Sequence, residues 1–153
     1  MSKSEKAIVT VLGMVYDGNK ILLQDRVKKD WCGFTFPGGH VEKEESFVQA
    51  IIREIYEETG LTIIEPRLCG VKQFQTDDDE RYIVLLFKTN KFEGTLISSD
   101  EGEMKWIDRE LLNDYKLVDD FIDLLKVFDS DFYSEFMYER NNLDDDSSLI
   151  KLY

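Results

Sequence analysis

Residues 39–61 of this chain read GHVEKEESFVQAIIREIYEETGL, and this segment has the clearest structural pattern in the sequence. From Ser46 to Thr59 the apolar residues recur at spacings of three and four, which predicts an amphipathic helix with one face in a core. Ser46 is a suitable N-cap, and Gly60 stands where a left-handed residue commonly ends a helix. The sequence therefore predicts both ends of this helix.

The same helix carries three glutamates on one side. Glu54 lies four residues before Glu58 and three before Glu57, so the carboxylates project from neighbouring positions. A Glu-rich face is usually a solvated surface, but carboxylates this close repel one another. A hard divalent cation such as Mg²⁺ would compensate, because it takes oxygen ligands. Arg53 can pair with Glu57 or with a neighbouring carboxylate and hold it in place.

The full spacing resembles the signature of the Nudix hydrolases, G-x5-E-x7-R-E-U-x-E-E-x-G-U, in which U is an aliphatic residue. From Gly39 to Leu61 the chain matches this pattern without a departure. The resemblance implies an α/β fold, a Nudix-type α/β/α sandwich with a mixed sheet between helices, in a single domain covering residues 1–153. It also implies hydrolysis of a nucleoside diphosphate linked to a further group, with Mg²⁺ or Mn²⁺ as the cofactor.

Carried over residue by residue, the resemblance assigns roles within the motif. Gly39 would offer its carbonyl oxygen to the metal, and Glu57 and Glu58 would be metal ligands. Arg53 would orient Glu54, which lies beside the attacking water as ligand or base in similar enzymes. Three further positions would support the motif, namely Gly38, Glu45 and Gly60.

Two further candidates lie outside the motif. In this family a glutamate from another loop commonly joins the site, and Glu101 is the candidate for this catalytic and metal-binding position. Glu103 is its substitute, and an exposed acidic loop is the other interpretation of this segment. Arg26, near the end of the predicted second strand, is either a phosphate contact or a surface charge.

A weaker resemblance to MutT-like enzymes extends over most of the chain and concerns the base. The aromatic residues Trp31, Phe34 and Phe36 precede the motif, where they would stack a purine or pack under the loop. Asp119 and Asp120 stand where an acidic pair recognises the base in similar enzymes. One protonated carboxyl would donate a hydrogen bond while the other accepts one, and the alternative role is capping of the following helix.

These assignments predict a Mg²⁺-dependent pyrophosphohydrolase. Its substrate would be 8-oxo-dGTP or a related purine dNTP, cleaved to the monophosphate and pyrophosphate, which is a nucleotide-sanitation activity that serves DNA repair. One alternative keeps the chemistry and changes the substrate to ADP-ribose, a dinucleoside polyphosphate or another dNTP. The other alternative is a non-catalytic binding module with the same fold.

Composition limits the partners and the location. The 153 residues include 19 Lys plus Arg and 32 Asp plus Glu, a net charge of −13, which argues against general nucleic-acid binding. No stretch approaches the ~20 apolar residues that span a bilayer, and residues 1–6 lack the apolar core of a signal peptide. We expect a cytoplasmic protein with a nucleotide substrate and no membrane partner, and both monomer and homodimer stay open.

Turn residues and apolar runs predict the remaining elements. Hairpins are predicted from Ala7 to Leu23, from Leu68 to Thr89 and from Phe132 to Leu152. A second amphipathic helix is predicted from Val118 to Phe128. Loops are predicted for Val27 to Phe36 and for Gly94 to Gly102.

Overall fold

The structure is a computed structural model, and it describes residues 3–27, 31–98, 100, 102–140 and 148–153. Within this part of the chain, neither α-helix is long and apolar enough to cross a membrane. The elements in chain order are β1 (Ala7–Asp17), β2 (Lys20–Arg26), β3 (Gly33–Thr35), β4 (Gly38–His40), α1 (Phe47–Thr59), β5 (Leu61–Ile64), β6 (Arg67–Gln75), β7 (Arg81–Thr89), β8 (Lys91–Gly94), β9 (Gly102–Asp108), a 3₁₀-helix (Arg109–Asp114), α2 (Phe121–Asp129), β10 (Glu135–Arg140) and β11 (Ser148–Leu152).

One large mixed sheet organises the molecule. Its strand order is β11-β10-β6-β7-β1-β2-β3, with β4 also paired to β1 and β9 also paired to β2. The pairs β1–β7 and β6–β10 are parallel, and the other pairs in this sheet are antiparallel. Strands β5 and β8 form a separate antiparallel pair beyond the end of α1.

Two strands share one edge of β1. Strand β2 pairs with β1 only at Tyr16 and Asp17, next to the turn that joins them. Strand β4 takes the earlier part of the same edge, opposite Thr10 to Leu12. This approach requires glycine, because a Cβ on Gly38 would lie 2.0 Å from the carbonyl oxygen of Val11. The fold thereby brings the β4 backbone beside the first helix.

Apolar residues pack on both faces of the sheet, as alternation along the strands requires. One face packs against α1, with buried residues from β1, β2 and the helix. They include Val11, Val15, Leu22, Ile51 and Ile55. The opposite face packs against α2, with buried residues that include Met14, Leu23, Phe121, Phe128 and Phe136. The predicted α/β/α sandwich with a mixed sheet between helices is confirmed.

The predicted helix and hairpins are confirmed with small changes at their ends. The first helix is α1, with Ser46 as its N-cap and Gly60 as its left-handed C-cap. The first hairpin is β1–β2, the second is β6–β7 and the last is β10–β11. Residues 141–147, within the predicted last hairpin, lie outside the described residues.

Two predicted boundaries are wrong, each because of contacts from distant parts of the chain. The loop predicted from Val27 to Phe36 contains β3, which pairs with β2. Strand β8, which the sequence did not predict, pairs with β5 and ends at Gly94, where the predicted loop begins. The second helix begins at Phe121, three residues later than predicted, because the backbone N–H of Val118 donates to the carbonyl of Phe34 instead.

Candidate active site

Capping fixes where α1 begins and ends, and so where its glutamates lie. The Ser46 hydroxyl accepts a hydrogen bond from the Gln49 backbone N–H at 3.0 Å. The Gln49 side chain accepts one in return from the Ser46 N–H at 3.1 Å, which completes a capping box. At the other end, Gly60 has φ +78° and donates its N–H to the Tyr56 carbonyl. The carboxylates therefore project from a helix whose register is held at both ends.

Arg53 lies at the centre of the motif carboxylates. Its Nε and Nη2 donate to the two oxygens of Glu45 at 2.7 and 3.0 Å, a bidentate pair. Its Nη1 donates to Glu54 Oε1 at 2.7 Å. Hydrogen bonding to Glu45 raises the pKa of the Arg53 guanidinium, and the same bond lowers the pKa of Glu45. The expected contact between Arg53 and Glu54 is present, and Glu45 anchors the arginine that makes it.

Arg53 also joins the helix to strand β4. Its Nη2 donates to the carbonyl oxygen of His40 at 2.9 Å. Its Nη1 lies 3.3 Å from Glu57 Oε2, the four-residue pair that the spacing predicts. Glu57 is half-exposed, with 56% of its side chain accessible. One guanidinium therefore fixes Glu54 tightly and contacts the more exposed Glu57 at longer range.

Gly38 and Gly39 of β4 lie directly against the carboxylates of Glu58 and Glu54. The Gly38 N–H donates to Glu58 Oε2 at 3.1 Å, and Glu58 is only 5% exposed. A Cβ added to Gly39 would lie 2.4 Å from Glu54 Oε2, closer than nonbonded atoms approach. Because neither position has a side chain, the β4 backbone and the carboxylates of Glu54 and Glu58 share one small space.

The donors in this space fit a hard divalent cation. They are carboxylate oxygens beside a close backbone segment, which is the ligand set that Mg²⁺ and Mn²⁺ accept. In the described part of the chain, no three Asp, Glu, His or Cys side chains already converge as a metal cluster. Glu54 and Glu57 instead accept hydrogen bonds from the Arg53 guanidinium. The candidate Glu101 lies outside the described residues, and its substitute Glu103 is exposed on β9.

Arg26 and Trp31 lie together at the end of β2. The Arg26 guanidinium carbon is 4.7 Å from the centre of the Trp31 ring, a cation–π contact. Trp31 is 40% exposed, so part of its side chain is accessible. Phe34 lies nearby on β3, partly buried, and meets Tyr115 edge-on at 5.2 Å.

Phe36 occupies the core and is not accessible as a base contact. It is 1% exposed and stacks on Phe121, with ring centres 4.7 Å apart. A second ring, Phe128, lies 4.6 Å away. The sequence left two roles open for Phe36, stacking on a purine or packing under the loop. The structure shows that Phe36 packs.

The two candidate aspartates before α2 differ in environment. Asp119 is exposed, whereas Asp120 is 4% exposed and forms an ion pair with Lys72 Nζ. Asp120 is the N-cap residue of α2, but its side chain makes no capping hydrogen bond. The alternative of a helix N-cap aspartate is therefore right about the position of Asp120 and wrong about a capping hydrogen bond from its side chain.

Sequence reasoning missed Lys72 and the His40 carbonyl. Lys72 lies on β6, 48 residues before Asp120, and no local pattern connects the two positions. Its one signal is that alternation in the sequence of β6 would put this lysine on the same face as Leu68 and Phe74, an apolar face that a sheet would bury. The His40 carbonyl is a backbone group, so only the path of β4 reveals its contact with Arg53.

Comparison with known proteins agrees with this geometry. The sequence profile described as "NUDIX domain" matches residues 6–128. The chain is 32% identical over 126 residues to the CTP pyrophosphohydrolase of Escherichia coli K12, covering 80% of this chain and 92% of that protein. It is 35% identical over 79 residues to the oxidized purine nucleoside triphosphate hydrolase of Danio rerio, covering 51% of this chain and 49% of that protein.

A solved structure shares almost the whole fold. The mutator MutT protein from Bacillus halodurans superposes with a TM-score of 0.75 at 25% identity, covering 95% of this chain and 97% of that one. Three curated relatives at 35% identity are matched over only 49 to 59% of their own length.

The fold and the motif define a Nudix domain. This chain belongs to the Nudix family, whose hydrolases act on nucleotide derivatives and generally use divalent metal ions.

Proposed function

We propose that this protein is a Mg²⁺-dependent nucleoside triphosphate pyrophosphohydrolase acting as a single domain over residues 1–153. Its substrate would be 8-oxo-dGTP or a related purine dNTP, and Mn²⁺ would substitute for Mg²⁺. The observation that carries this proposal is the complete carboxylate set around Arg53, packed against Gly38 and Gly39. A non-catalytic module would have no need to retain every one of these groups.

Five residues would hold the metal, namely Gly39, Glu54, Glu57, Glu58 and Glu101. When bound, the cation neutralises phosphate oxygens and makes a water molecule a better nucleophile. Water would attack one of the two phosphorus atoms that the α,β-bridging oxygen joins, and the bond from that phosphorus to the bridging oxygen would break, releasing the monophosphate and pyrophosphate. Glu54 would accept the proton of the attacking water, because Arg53 holds its carboxylate in one orientation.

Residues outside the motif would bind the rest of the nucleotide. Arg26 would contact phosphate oxygens, and the exposed part of Trp31 would offer a stacking surface. Phe34 and Asp119 would complete the proposed base site, with Asp120 as the buried member of the acidic pair. The named activity of the Danio rerio relative supports an oxidised purine as the base.

A panel of nucleotides with Mg²⁺ tests this proposal. Chromatography that resolves pyrophosphate from orthophosphate would identify the bond that is cleaved. We expect the monophosphate and pyrophosphate from purine dNTPs. Orthophosphate as the only released product, or no hydrolysis of any purine dNTP, would reject the proposed reaction.

A second candidate keeps the chemistry and changes the substrate. The E. coli CTP pyrophosphohydrolase matches this chain over 92% of its own length, whereas the Danio rerio relative matches it over 49% of its own length. A preference for CTP or another pyrimidine nucleotide in the same panel would favour this candidate. The alternatives ADP-ribose and dinucleoside polyphosphates belong in that panel as well.

The base preference gives the first quantitative prediction. We expect kcat/KM to favour 8-oxo-dGTP over dGTP at least ~10-fold, about 1.4 kcal/mol, because hydrogen bonds to the oxidised ring add to stacking. Asp119→Ala should shrink this ratio and leave the Mg²⁺ dependence intact, since Asp119 lies outside the motif. Asp123→Ala, which removes a partly exposed carboxylate of α2 paired with Lys126, is the matched control and should leave the ratio unchanged. Equal rates on the two nucleotides in the wild type would contradict the sanitation activity.

Glu54→Gln tests the proposed base. The amide keeps the size of the side chain but cannot accept the proton, so kcat should fall about 10-fold or more while KM stays within about threefold. Steady-state kinetics on the preferred dNTP measure both constants. A change in KM alone would move the role of base away from Glu54 and toward Glu101.

A further inference from the structure

A cavity of about 560 Å³ lies where strands β6 and β7 meet the end of α2. Its walls come mainly from the first residues of β6, the last residues of β7 and the two residues after α2. This volume is within the range of cavities that hold small molecules. None of its described lining residues belongs to the motif, so the cavity is separate from the candidate active site.

Two basic residues line this cavity from directly opposite positions. Arg67 of β6 is paired in register with Lys88 of β7. Residues paired in this way project to the same side of a sheet, and like charges there destabilise the pairing of the strands. Within the part of the chain that the structure describes, the Arg67 side chain has neither a hydrogen bond nor an ion pair. No acidic partner at Arg67 therefore relieves the repulsion.

The cavity has hydrogen-bond donors that internal contacts do not occupy. The Lys88 ammonium donates to the Phe128 carbonyl at 2.7 Å, and its other N–H groups remain. The Ser130 Oγ accepts two hydrogen bonds from backbone N–H groups at 2.8 Å, so its O–H remains as a donor. Burial raises the pKa of the Cys69 thiol to about 11, so this neighbour adds no negative charge.

The acidic residues of the lining do not cancel the charge of Arg67 and Lys88. Glu65 forms an ion pair with Lys91 at 2.7 Å, and both side chains are largely exposed. Asp131 is also exposed, so water screens its charge. Lys88, in contrast, is partly buried, and its charge is screened less. In a chain of net charge −13, this cavity is a local positive site that attracts anions.

We propose that this cavity binds the phosphate group of a small molecule, independently of Mg²⁺. Two adjacent cations match a phosphomonoester, whose charge is about −1.5 to −2 at neutral pH, better than they match a single carboxylate. The Arg67 guanidinium would donate to two phosphate oxygens, and the Lys88 ammonium and the Ser130 O–H would donate to the others. The inference goes beyond the proposed function and does not rest on it, because the motif carboxylates take no part.

Inorganic phosphate is the probe, and acetate is the carboxylate for comparison. NMR titration of the full chain, in Tris–chloride buffer with a chelator, locates the binding site and measures the dissociation constant. We expect phosphate to shift the backbone amide signals of residues 67–69, 88–91 and 130–131 with one common dissociation constant. Acetate at the same ionic strength should bind at least ~10-fold more weakly, because it makes fewer charge-assisted hydrogen bonds.

Two variants test the donors of the cavity. Arg67→Gln and Lys88→Met should each weaken phosphate binding at least ~10-fold, because each removes a charge-assisted hydrogen bond. The matched control is Arg140→Gln, which also removes one positive charge, but from an exposed arginine of β10 that pairs with Asp77 outside the cavity. It should bind phosphate as wild type does. Thermal melting checks folding, and Arg67 is exposed, so Arg67→Gln keeps the test valid if Lys88→Met is unstable.

Three results would overturn the inference: no phosphate-dependent shift at these amides, the wild-type affinity retained in Arg67→Gln, or acetate binding as tightly as phosphate. The last would show attraction by charge without recognition of phosphate. Hydrolysis of dNTPs is measured separately with Mg²⁺. A chain that binds phosphate through Arg67 but hydrolyses no dNTP would reject the proposed function and leave this inference standing.

Discussion

Replacing Glu58 or Glu57 by Gln is expected to lower kcat at least ~100-fold while the fold is retained. Each change removes one negative charge from the carboxylate set and keeps the size of the side chain. In the case of Glu58, the amide oxygen can still accept the hydrogen bond from the Gly38 N–H, so β4 keeps its contact with α1. Glu57 is half-exposed, so its replacement removes little packing.

Steady-state kinetics at saturating Mg²⁺ and circular dichroism together check this expectation. Glu42→Gln is the matched control, because Glu42 lies 4.0 Å from the same Arg53 guanidinium but outside the proposed ligand set. It should retain a rate close to that of wild type. Near-wild-type rates for both Glu57→Gln and Glu58→Gln would end the assignment of a metal site to α1.

Gly39→Ala is expected to lower kcat on the order of 100-fold with little change in melting temperature. Its Cβ would lie 2.4 Å from Glu54 Oε2 and would push that carboxylate out of the orientation that Arg53 gives it. A misplacement of about 1 Å in a catalytic group can cost about 100-fold. The group displaced is the end of a side chain, so the strand itself need not move.

Gly38→Ala provides the contrast, since its Cβ would meet backbone at 2.0 Å, the carbonyl oxygen of Val11. This variant should lose stability as well as activity, because β4 has to separate from β1. Thermal melts and kinetics on both variants separate the two effects. If Gly39→Ala kept its full rate, Gly39 would have no close role in catalysis.

Local patterns carried most of what the sequence could predict about the site. The helix period, the caps at Ser46 and Gly60, and the four-residue spacing of Arg53 and Glu57 all act within one element. The capping contacts and the Arg53–Glu57 pair that these patterns predict are present in the structure. The same holds for the hairpins, whose turn residues lie between the strands they join.

What the sequence could not predict depends on contacts between distant segments. Strand β4 has three residues and no periodicity, so its pairing with β1 is set by the sheet and not by its own sequence. Phe36 has the composition of a base-stacking residue but lies among the rings of α2. The pairing of Lys72 with Asp120 requires β6 and the start of α2 to meet, which no local signal reports.

The shared edge of β1 links catalysis to the order of folding. Strand β4 lies beside β1 on one side, and β7, more than 70 residues later in the chain than β1, lies on the other. Contacts between such distant segments form slowly, because the intervening chain must first be ordered. The motif carboxylates of α1 gain their backbone partners only when this central pairing is in place, so a partly folded chain would hold the helix without the proposed site. Activity would therefore report completion of the whole sheet, and its recovery after denaturation would lag behind the return of helical structure.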